Sequence, residues 1–323
     1  MFTREEVQAA QRTVYAAMPP TPQYHWPLLA QRLGMKLSVK HENHTPAGAF
    51  KVRGGLTYFE QLEQRLPPGG GVVSATRGNH GQSVGFAARK YGIAATIVVP
   101  HGNSLEKNAA MRALGVTLIE HGEEFQAARE HAARLAAERG LHMVPSFHHD
   151  LIKGVMTYWV EYFESFAPGE MPEVVFVPIG QGSGFCAAAA ARAYTGASCK
   201  LVGVVSAHAT AYLDSFNSGQ LMESPVTTVL ADGMACRVPD PESLEIVLRE
   251  ADDVVAVTDA EVAQAMRVLF ADTHNVAEGA GAASLAAAMQ QGEHWQGRRV
   301  GTTLCGGNVD SDVFARVLSG GSC

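Results

Sequence analysis

The residue with the clearest chemical potential is Lys51, which lies between the aromatic Phe50 and the small pair Gly54 and Gly55. We predict that it ends a loop and precedes a helix over residues 56–66. Partial burial at such a junction disfavours the charged form of an amine and so lowers its pKa. A neutral lysine amine attacks aldehydes. The alternative for this residue alone is a solvated lysine at the start of a helix.

A glycine-rich run follows an apolar segment and precedes an alanine-rich one; it comprises Gly180, Gln181, Gly182, Ser183 and Gly184. Between a strand and a helix, such a run turns successive backbone N–H groups toward an anion. It lacks the Gly-Lys-Ser/Thr ending of a nucleotide P-loop and the Gly-x-Gly-x-x-Gly spacing of a dinucleotide site. The sequence therefore predicts a monophosphate ligand, with a ligand-free turn as the alternative.

Two further polar turns follow predicted strands, at 72–74 and 299–304. In the first, Asn79 either caps the next helix or donates its side-chain amide to a ligand oxygen. In the second, Cys305 is either a small buried apolar residue or a group that faces a ligand. Open α/β sheets bind ligands beyond the carboxyl ends of their strands, so both turns could contribute to one site.

The elements that must position these residues alternate between strand and helix. Predicted strands lie at 36–40, 72–74, 94–100, 116–119, 173–178, 201–205 and 299–304. Predicted helices lie at 4–17, 56–66, 86–90, 105–114, 123–138, 151–166, 185–194, 259–270 and 278–290, and a final helix follows the turn at 305–308. This alternation predicts an α/β fold of two units, each an open, mostly parallel twisted sheet with helices on both faces.

Composition narrows the functional class. The chain has 323 residues, 46% hydrophobic and 18% charged, with a formal net charge of −7. That charge gives no indication of nucleic-acid or anionic-membrane binding. The five scattered cysteines form neither a disulfide framework nor a metal motif, and no apolar run approaches the ~20 residues of a membrane span. We therefore expect a cytoplasmic protein without a metal.

The four stretches occur in an order that resembles the pyridoxal-phosphate enzymes of the tryptophan-synthase β fold (fold type II), specifically the serine/threonine dehydratase family. The resemblance covers residues 21–317 and includes further matches at 40–43, 231–233 and 277–281. It implies two domains. A large pyridoxal-phosphate-binding domain would comprise residues 1–52 and 146–323, and a smaller substrate-side domain, residues 53–145, would be inserted between its two parts.

The resemblance also implies roles for individual residues. Lys51 would bond the cofactor's aldehyde and act as the catalytic base, the run from Gly180 to Gly184 would hold the phosphate, and Asn79 would donate to the 3′-oxygen. Cys305 would face the pyridine nitrogen and Phe50 would pack near the ring. A thiol is a weak, uncharged partner, which favours rapid β-elimination over transamination. The implied substrate-binding residues are Thr76, Arg77, Gly78 and His80.

The implied reaction is dehydration and deamination of a β-hydroxy-α-amino acid to a 2-oxo acid and ammonia, with L-threonine or L-serine as the expected substrate. Phenylserine, 3-hydroxyaspartate and the substrates of hydroxyectoine-utilization dehydratases are alternatives. More remote alternatives are an amino-acid racemase, a β-replacement synthase and a non-catalytic phosphate-ligand-binding protein. We expect a small-molecule partner and no nucleic-acid or membrane partner, with a homodimer as the candidate assembly.

The sequence departs from the family pattern at three places. Arg77 stands where the family usually has a small residue, and a permanently charged guanidinium is a poor proton shuttle, which argues against racemisation. Residues 205–212 carry no carboxylate where some relatives bind a cation, so no metal is predicted there. No regulatory domain follows Cys323, so we expect no allosteric control.

Overall fold

The computed structural model describes residues 2–321, and Met1, Ser322 and Cys323 lie outside that range. The described residues form ten strands in two sheets. The strands are β1 Gln23–Tyr24, β2 Lys36–His41, β3 Gly71–Ala75, β4 Ala94–Val99, β5 Thr117–Glu120, β6 His142–Met143, β7 Val174–Pro178, β8 Lys200–Ser206, β9 Asp253–Val257 and β10 Arg299–Leu304.

Thirteen α-helices accompany these strands within the same residue range. They are α1 Arg4–Tyr15, α2 Pro27–Leu33, α3 Lys51–Glu63, α4 Asn79–Tyr91, α5 Leu105–Ala113, α6 Phe125–Arg139, α7 His149–Glu164, α8 Ser183–Thr195, α9 Ala211–Ser218, α10 Pro241–Glu250, α11 Asp259–Thr273, α12 Gly279–Gln290 and α13 Ser311–Leu318. None of these described helices is long and apolar enough to cross a membrane.

The larger sheet has the strand order β1-β2-β10-β7-β8-β9. All neighbouring pairs are parallel except β1 with β2. Helices α11 and α12 pack on one face, for example through Leu269 and Ala282, whereas α7 and α8 pack on the other through Trp159 and Ala187. Both faces are thus covered, which explains why its inner strands read as continuous apolar runs.

The smaller sheet has the order β5-β4-β3-β6 and is parallel throughout. Helices α3 and α4 cover one face with residues such as Phe59 and Val84, and α6 covers the other with Ala132 and Leu135. The predicted α/β fold with two mostly parallel sheets is therefore confirmed. The strands of this sheet lie between Gly71 and Met143.

One predicted helix boundary was wrong in a way that matters for the site. The helix predicted over residues 56–66 begins at Lys51, so the lysine lies in the first turn of α3 and not in a loop. Gly54 and Gly55 weakened the sequence signal because glycine disfavours helices. In the fold they allow close packing: a Cβ at Gly54 would lie 2.6 Å from the Leu151 carbonyl oxygen, and one at Gly55 would overlap the Ser83 hydroxyl.

Several other elements were not predicted, namely α2, α9, α10, β1, β6 and β9. For α10 the signal was present, because Asp240 caps the helix through the backbone N–H groups of Glu242 and Ser243 while Pro241 occupies the first turn. Helix α9 has only eight residues, which leaves its apolar periodicity too short to detect. Strands β1 and β6 have two residues each, too few for any alternating pattern.

Candidate active site

The four predicted stretches meet at one cavity between the carboxyl ends of the two sheets' strands. Lys51 and Asn79 enter it from the first turns of α3 and α4, and Cys305 enters from the turn after β10. The glycine-rich run forms a further wall. The full lining comprises Phe50, Lys51, Asn79, Tyr158, Val177, Pro178, Gly180, Gln181, Gly182, Ser183, Gly184, Gly233, Met234, Glu278, Ala280 and Cys305.

Lys51 is placed so that its amine loses solvent on one side. Its Nζ lies 4.7 Å from the centroid of the Phe50 ring. Burial lowers the pKa of Lys51, and the acidic groups of Cys305 and Glu278 oppose this shift without reversing it. The environment therefore increases the fraction of neutral amine, which is the nucleophilic and basic form.

A buried charge network holds the helix that carries Lys51. The guanidinium of Arg53 donates to Glu42 (Nε to Oε2, 2.7 Å) and to Glu161 (Nη1 to Oε1, 2.6 Å). Lys40 also donates to Glu161, at 2.6 Å. Two cations thus balance two carboxylates, which offsets the cost of burying them. The network ties α3 to α7 and to the end of β2, and so fixes the turn from which Lys51 projects.

The glycine-rich run has the features of an anion site. Gly182 adopts φ +93°, and an added Cβ there would overlap the Ser243 hydroxyl, while one at Gly180 would overlap the Gly233 carbonyl oxygen. The backbone N–H groups of Gln181, Gly182 and Ser183 find no acceptor among residues 2–321. Because these donors precede and open α8, the helix N-terminus adds to their attraction for an anion. The run fits a phosphate group.

Asn79 does not cap α4, so the capping alternative is wrong. Gly78 is the N-cap residue, and the first-turn N–H of Gly81 donates to the Thr76 hydroxyl at 3.3 Å. The Asn79 amide nitrogen donates to Glu278 Oε1 at 2.5 Å, and its oxygen accepts from Asn308 Nδ2 at 2.9 Å. An amide nitrogen carries two N–H groups, so one remains available to a ligand in the cavity.

Cys305 presents an uncharged sulfur to the cavity. Its Sγ lies 3.4 Å from the Ala280 carbonyl oxygen, to which the thiol donates. Burial raises the pKa of the Cys305 thiol well above its usual value, and Glu278 raises it further. The side chain is therefore a neutral thiol, in agreement with the weak partner that the sequence implied.

The predicted substrate-binding residues lie beside the cavity but do not line it. Thr76 and Gly78 are buried, and the Thr76 hydroxyl accepts from the Gly78 backbone N–H at 2.9 Å. Burial lowers the pKa of His80 to about 3, with a smaller contribution from Lys51, so His80 is neutral. Arg77 is exposed and has no ion-pair or hydrogen-bond partner within the described range.

Two side chains that line the cavity had no predicted role. Glu278 stands in the Ala-Glu-Gly-Ala-Gly match, which was the available signal. Its Oε2 is buried without a hydrogen bond, and burial raises the pKa of this carboxyl. Tyr158 carried no signal, because it is one aromatic among several at helical spacing in α7; its ring lies 6.1 Å from Phe50.

Comparison with known proteins agrees with this geometry. A family model described as pyridoxal-phosphate dependent enzyme matches residues 14–306. L-threonine ammonia-lyase of Thermotoga maritima is 32% identical, over 99% of this chain and 79% of its own length. L-threo-3-hydroxyaspartate ammonia-lyase of Saccharomyces cerevisiae is 30% identical, over 98% of this chain and 97% of its own length. The solved structure of maize serine racemase superposes with a TM-score of 0.87 at 26% identity, covering 98% of this chain and 96% of that one.

Proposed function

This chain belongs to the family of pyridoxal-phosphate-dependent enzymes, and we propose that within it L-threonine or L-serine is the substrate. The reaction class follows from its relatives: the chain is an ammonia-lyase that acts by β-elimination on hydroxy amino acids. A cavity lined by a lysine amine of lowered pKa, an anion cradle and a neutral thiol is the observation that best supports this reaction, and the proposed substrate is supported by the similarity to L-threonine ammonia-lyase.

We propose that the cofactor is held by these lining residues. Lys51 would bond its aldehyde, the N–H groups of the run from Gly180 to Gly184 would bind its phosphate, and the free N–H of Asn79 would reach its 3′-oxygen. Phe50 would pack beside the ring and Cys305 would face the pyridine nitrogen. When bound, pyridoxal phosphate withdraws electrons from the substrate's Cα and makes its proton acidic.

The protein's own groups determine where protons go. The Nζ of Lys51, once the substrate has displaced it, is the base that takes the Cα proton, because burial favours its neutral form. His80 lies near Lys51 but is neutral, so it has no imidazolium proton to give as a general acid. Loss of the β-hydroxyl and hydrolysis of the released product yield a 2-oxo acid and ammonia.

A second candidate substrate is 3-hydroxyaspartate, and Arg77 is the residue that favours it. Arg77 is exposed next to the turn that carries Asn79, and no described residue neutralises it. A guanidinium can bind a second carboxylate with two hydrogen bonds. Alternatively, the same group could stack on the ring of phenylserine. A relative that acts on L-threo-3-hydroxyaspartate aligns over nearly its whole length, which supports the first of these roles.

The direct test is a substrate panel. The purified protein, saturated with pyridoxal phosphate, is assayed for 2-oxo acid and ammonia with threonine, serine, 3-hydroxyaspartate and phenylserine. We expect the highest kcat/KM with threonine or serine. Chiral analysis of the remaining amino acid in the same reactions measures racemisation, which Arg77 disfavours. Turnover of none of the four would refute the substrate proposal.

Arg77→Ala identifies what this arginine binds. If it binds a substrate carboxylate, kcat/KM for 3-hydroxyaspartate should fall roughly tenfold to hundredfold, the equivalent of a charge-assisted hydrogen bond of about 1–3 kcal/mol. Values for threonine should change less than threefold. Arg89→Ala, an exposed arginine on α4, is the matched control. Equal values for wild type and Arg77→Ala on every substrate would place Arg77 outside the substrate site.

We also propose that the chain forms two domains, a large one made of residues 1–52 and 146–323 and a small one made of residues 53–145. The separation of the strands into two sheets supports this division. A cytoplasmic location and a homodimeric assembly are further proposals. Fractionation of cells that express the protein tests the first, and light scattering during size-exclusion chromatography tests the second.

A further inference from the structure

The two sheets are bridged beside the cavity by one buried lysine that has no part in the function proposed above. Lys107 lies on α5, next to the smaller sheet, and is only 7% exposed. Its Nζ lies 2.8 Å from Asp232 Oδ2 and 3.5 Å from Glu278 Oε2, both of which belong to segments packed on the larger sheet. Burial alone would lower the pKa of Lys107, but the two carboxylates outweigh burial and raise it. Lys107 therefore keeps its positive charge in this buried position.

The bridge continues into the cavity through Asn79. Glu278 accepts the Asn79 amide N–H, and Asn308 donates both to the Asn79 oxygen and, at 2.8 Å, to the Ala47 carbonyl. Because a carbonyl can only accept, the Asn308 nitrogen must face Ala47, and the Asn79 oxygen must face that nitrogen. An ionised Glu278 can only accept hydrogen bonds, so it too requires the nitrogen of the Asn79 amide to face it. The neighbours thus determine which end of the Asn79 amide reaches Glu278.

Lys107 also contacts the turn that carries Asn79. A Cβ added at Gly78 would overlap the Lys107 side-chain carbons, so the lysine stem lies against the residue immediately before Asn79. The ammonium group and the stem of one side chain therefore act on the same turn, one through Glu278 and the other by direct packing.

We propose that Lys107 is a positioning residue that couples the placement of the smaller sheet to the orientation of the Asn79 amide, and thereby to cofactor affinity. Its charge keeps Glu278 as an acceptor. Without that charge, Glu278 and Asp232 would be two carboxylates close together, and burial would favour a proton on Glu278. A protonated Glu278 is a weaker acceptor for the Asn79 amide N–H, so the hydrogen bond that holds this amide in place would weaken. The proposal rests on the assignment of Asn79 to the cofactor, not on the identity of the substrate.

The experiment compares Lys107→Met, which keeps the stem and removes the charge, with Lys107→Arg, which keeps the charge. Lys90→Met, an exposed lysine on α4, is the control. The dissociation constant of pyridoxal phosphate is measured by absorbance titration of cofactor-free protein. We expect it to rise about tenfold to hundredfold in Lys107→Met, and less than threefold in Lys107→Arg and Lys90→Met.

A double mutant separates positioning from a general loss of stability. If Lys107 acts through Asn79, adding Lys107→Met to Asn79→Ala should leave the cofactor affinity of Asn79→Ala unchanged within twofold. Affinity losses that multiply in the double mutant, or an unchanged affinity in Lys107→Met alone, would overturn the proposal.

If Lys107→Met does not fold, Glu278→Gln takes its place: the same cycle with Asn79→Ala should again be non-additive. Wild-type protein that binds no pyridoxal phosphate would refute the cofactor assignment itself, whereas normal binding with an additive cycle would refute only the role of Lys107.

Discussion

At the scale of single residues, the chemistry of this site comes from placing ordinary side chains where water is scarce. Lys51 has a lowered pKa, Cys305 stays a neutral thiol and His80 stays uncharged, and in each case burial is the largest cause. The amine is thus available as a nucleophile and base, because burial outweighs the opposing effect of the acidic groups of Cys305 and Glu278. A thiol next to a pyridine nitrogen cannot supply the full charge that an aspartate would.

Lys51→Ala should keep its fold and lose turnover. The substitution removes a side chain that faces the cavity, so we expect a near-normal circular dichroism spectrum and a loss of kcat of at least about 10²–10⁴-fold, the contribution of a positioned base. Borohydride treatment followed by mass spectrometry should attach the cofactor to wild type at Lys51 and leave the variant unmodified. Lys36→Ala, an exposed lysine, is the control. Near-normal deamination by Lys51→Ala would contradict the assignment.

At the scale of elements, three segments are fastened together by the network of Arg53, Glu42, Glu161 and Lys40. Burial alone would raise the pKa of Glu161, but Arg53 and Lys40 outweigh burial and hold it below its usual value. A carboxyl whose pKa is lowered by folding stabilises the folded state at pH values above its unfolded pKa. That contribution is lost as pH falls through the folded pKa, which lies below 4.5.

Glu161→Gln should therefore destabilise the protein, and the effect should depend on pH. At pH 7 we expect the free energy of unfolding to fall by about 3–5 kcal/mol, because Arg53 and Lys40 lose a buried partner. The difference from wild type should begin to shrink as pH falls below about 4.5, where Glu161 of the unfolded state takes up a proton, and should be smallest below the lower folded pKa, where both states are protonated. Urea denaturation across this range measures it. Glu164→Gln, one turn further along α7 and exposed, should cost less than about 0.5 kcal/mol. A pH-independent difference would show that Glu161 does not act through its charge.

At the scale of the whole molecule, the cavity is built from both sheets, so cofactor binding and the arrangement of the two units are linked. Lys51 and Asn79 begin helices that cover the smaller sheet, whereas the phosphate cradle and Cys305 follow strands of the larger one. A ligand held by groups from both units stabilises the folded state by mass action. It also holds the units together as long as it is bound.

Removal of pyridoxal phosphate should lower the thermal midpoint. With free cofactor at 100 times its dissociation constant, stabilisation is about 2.7 kcal/mol, or roughly 4 °C for a chain of this size. Gly182→Asp should abolish most of that shift, because its side chain would overlap Ser243 and place a negative charge at the cradle. Gly196→Ala, at a positive φ with open space at the other end of α8, should retain it. An equal shift in wild type and Gly182→Asp would mean that the phosphate binds elsewhere.

The sequence by itself determined the alternation of strands and helices, because apolar runs and glycine turns are local signals. The signal of the strands is strong because both faces of a parallel sheet are buried, so that its strands are apolar throughout. It also identified the four stretches that meet at the cavity, since glycines, an amine and a thiol at strand ends are visible without coordinates. Helix ends with clear propensity, such as those of α1 and α12, were predicted to within two residues.

Only the tertiary structure decided what these residues contact. The helix start at Lys51 depends on packing against Leu151 and Ser83, which overrides the low helix propensity of two glycines. The Asn79 amide donates to Glu278, 199 positions away in the chain, and Glu278 lies 3.5 Å from Lys107 of the other unit. Such partners share no sequence spacing, because burial and hydrogen bonding act between groups that only the fold brings together.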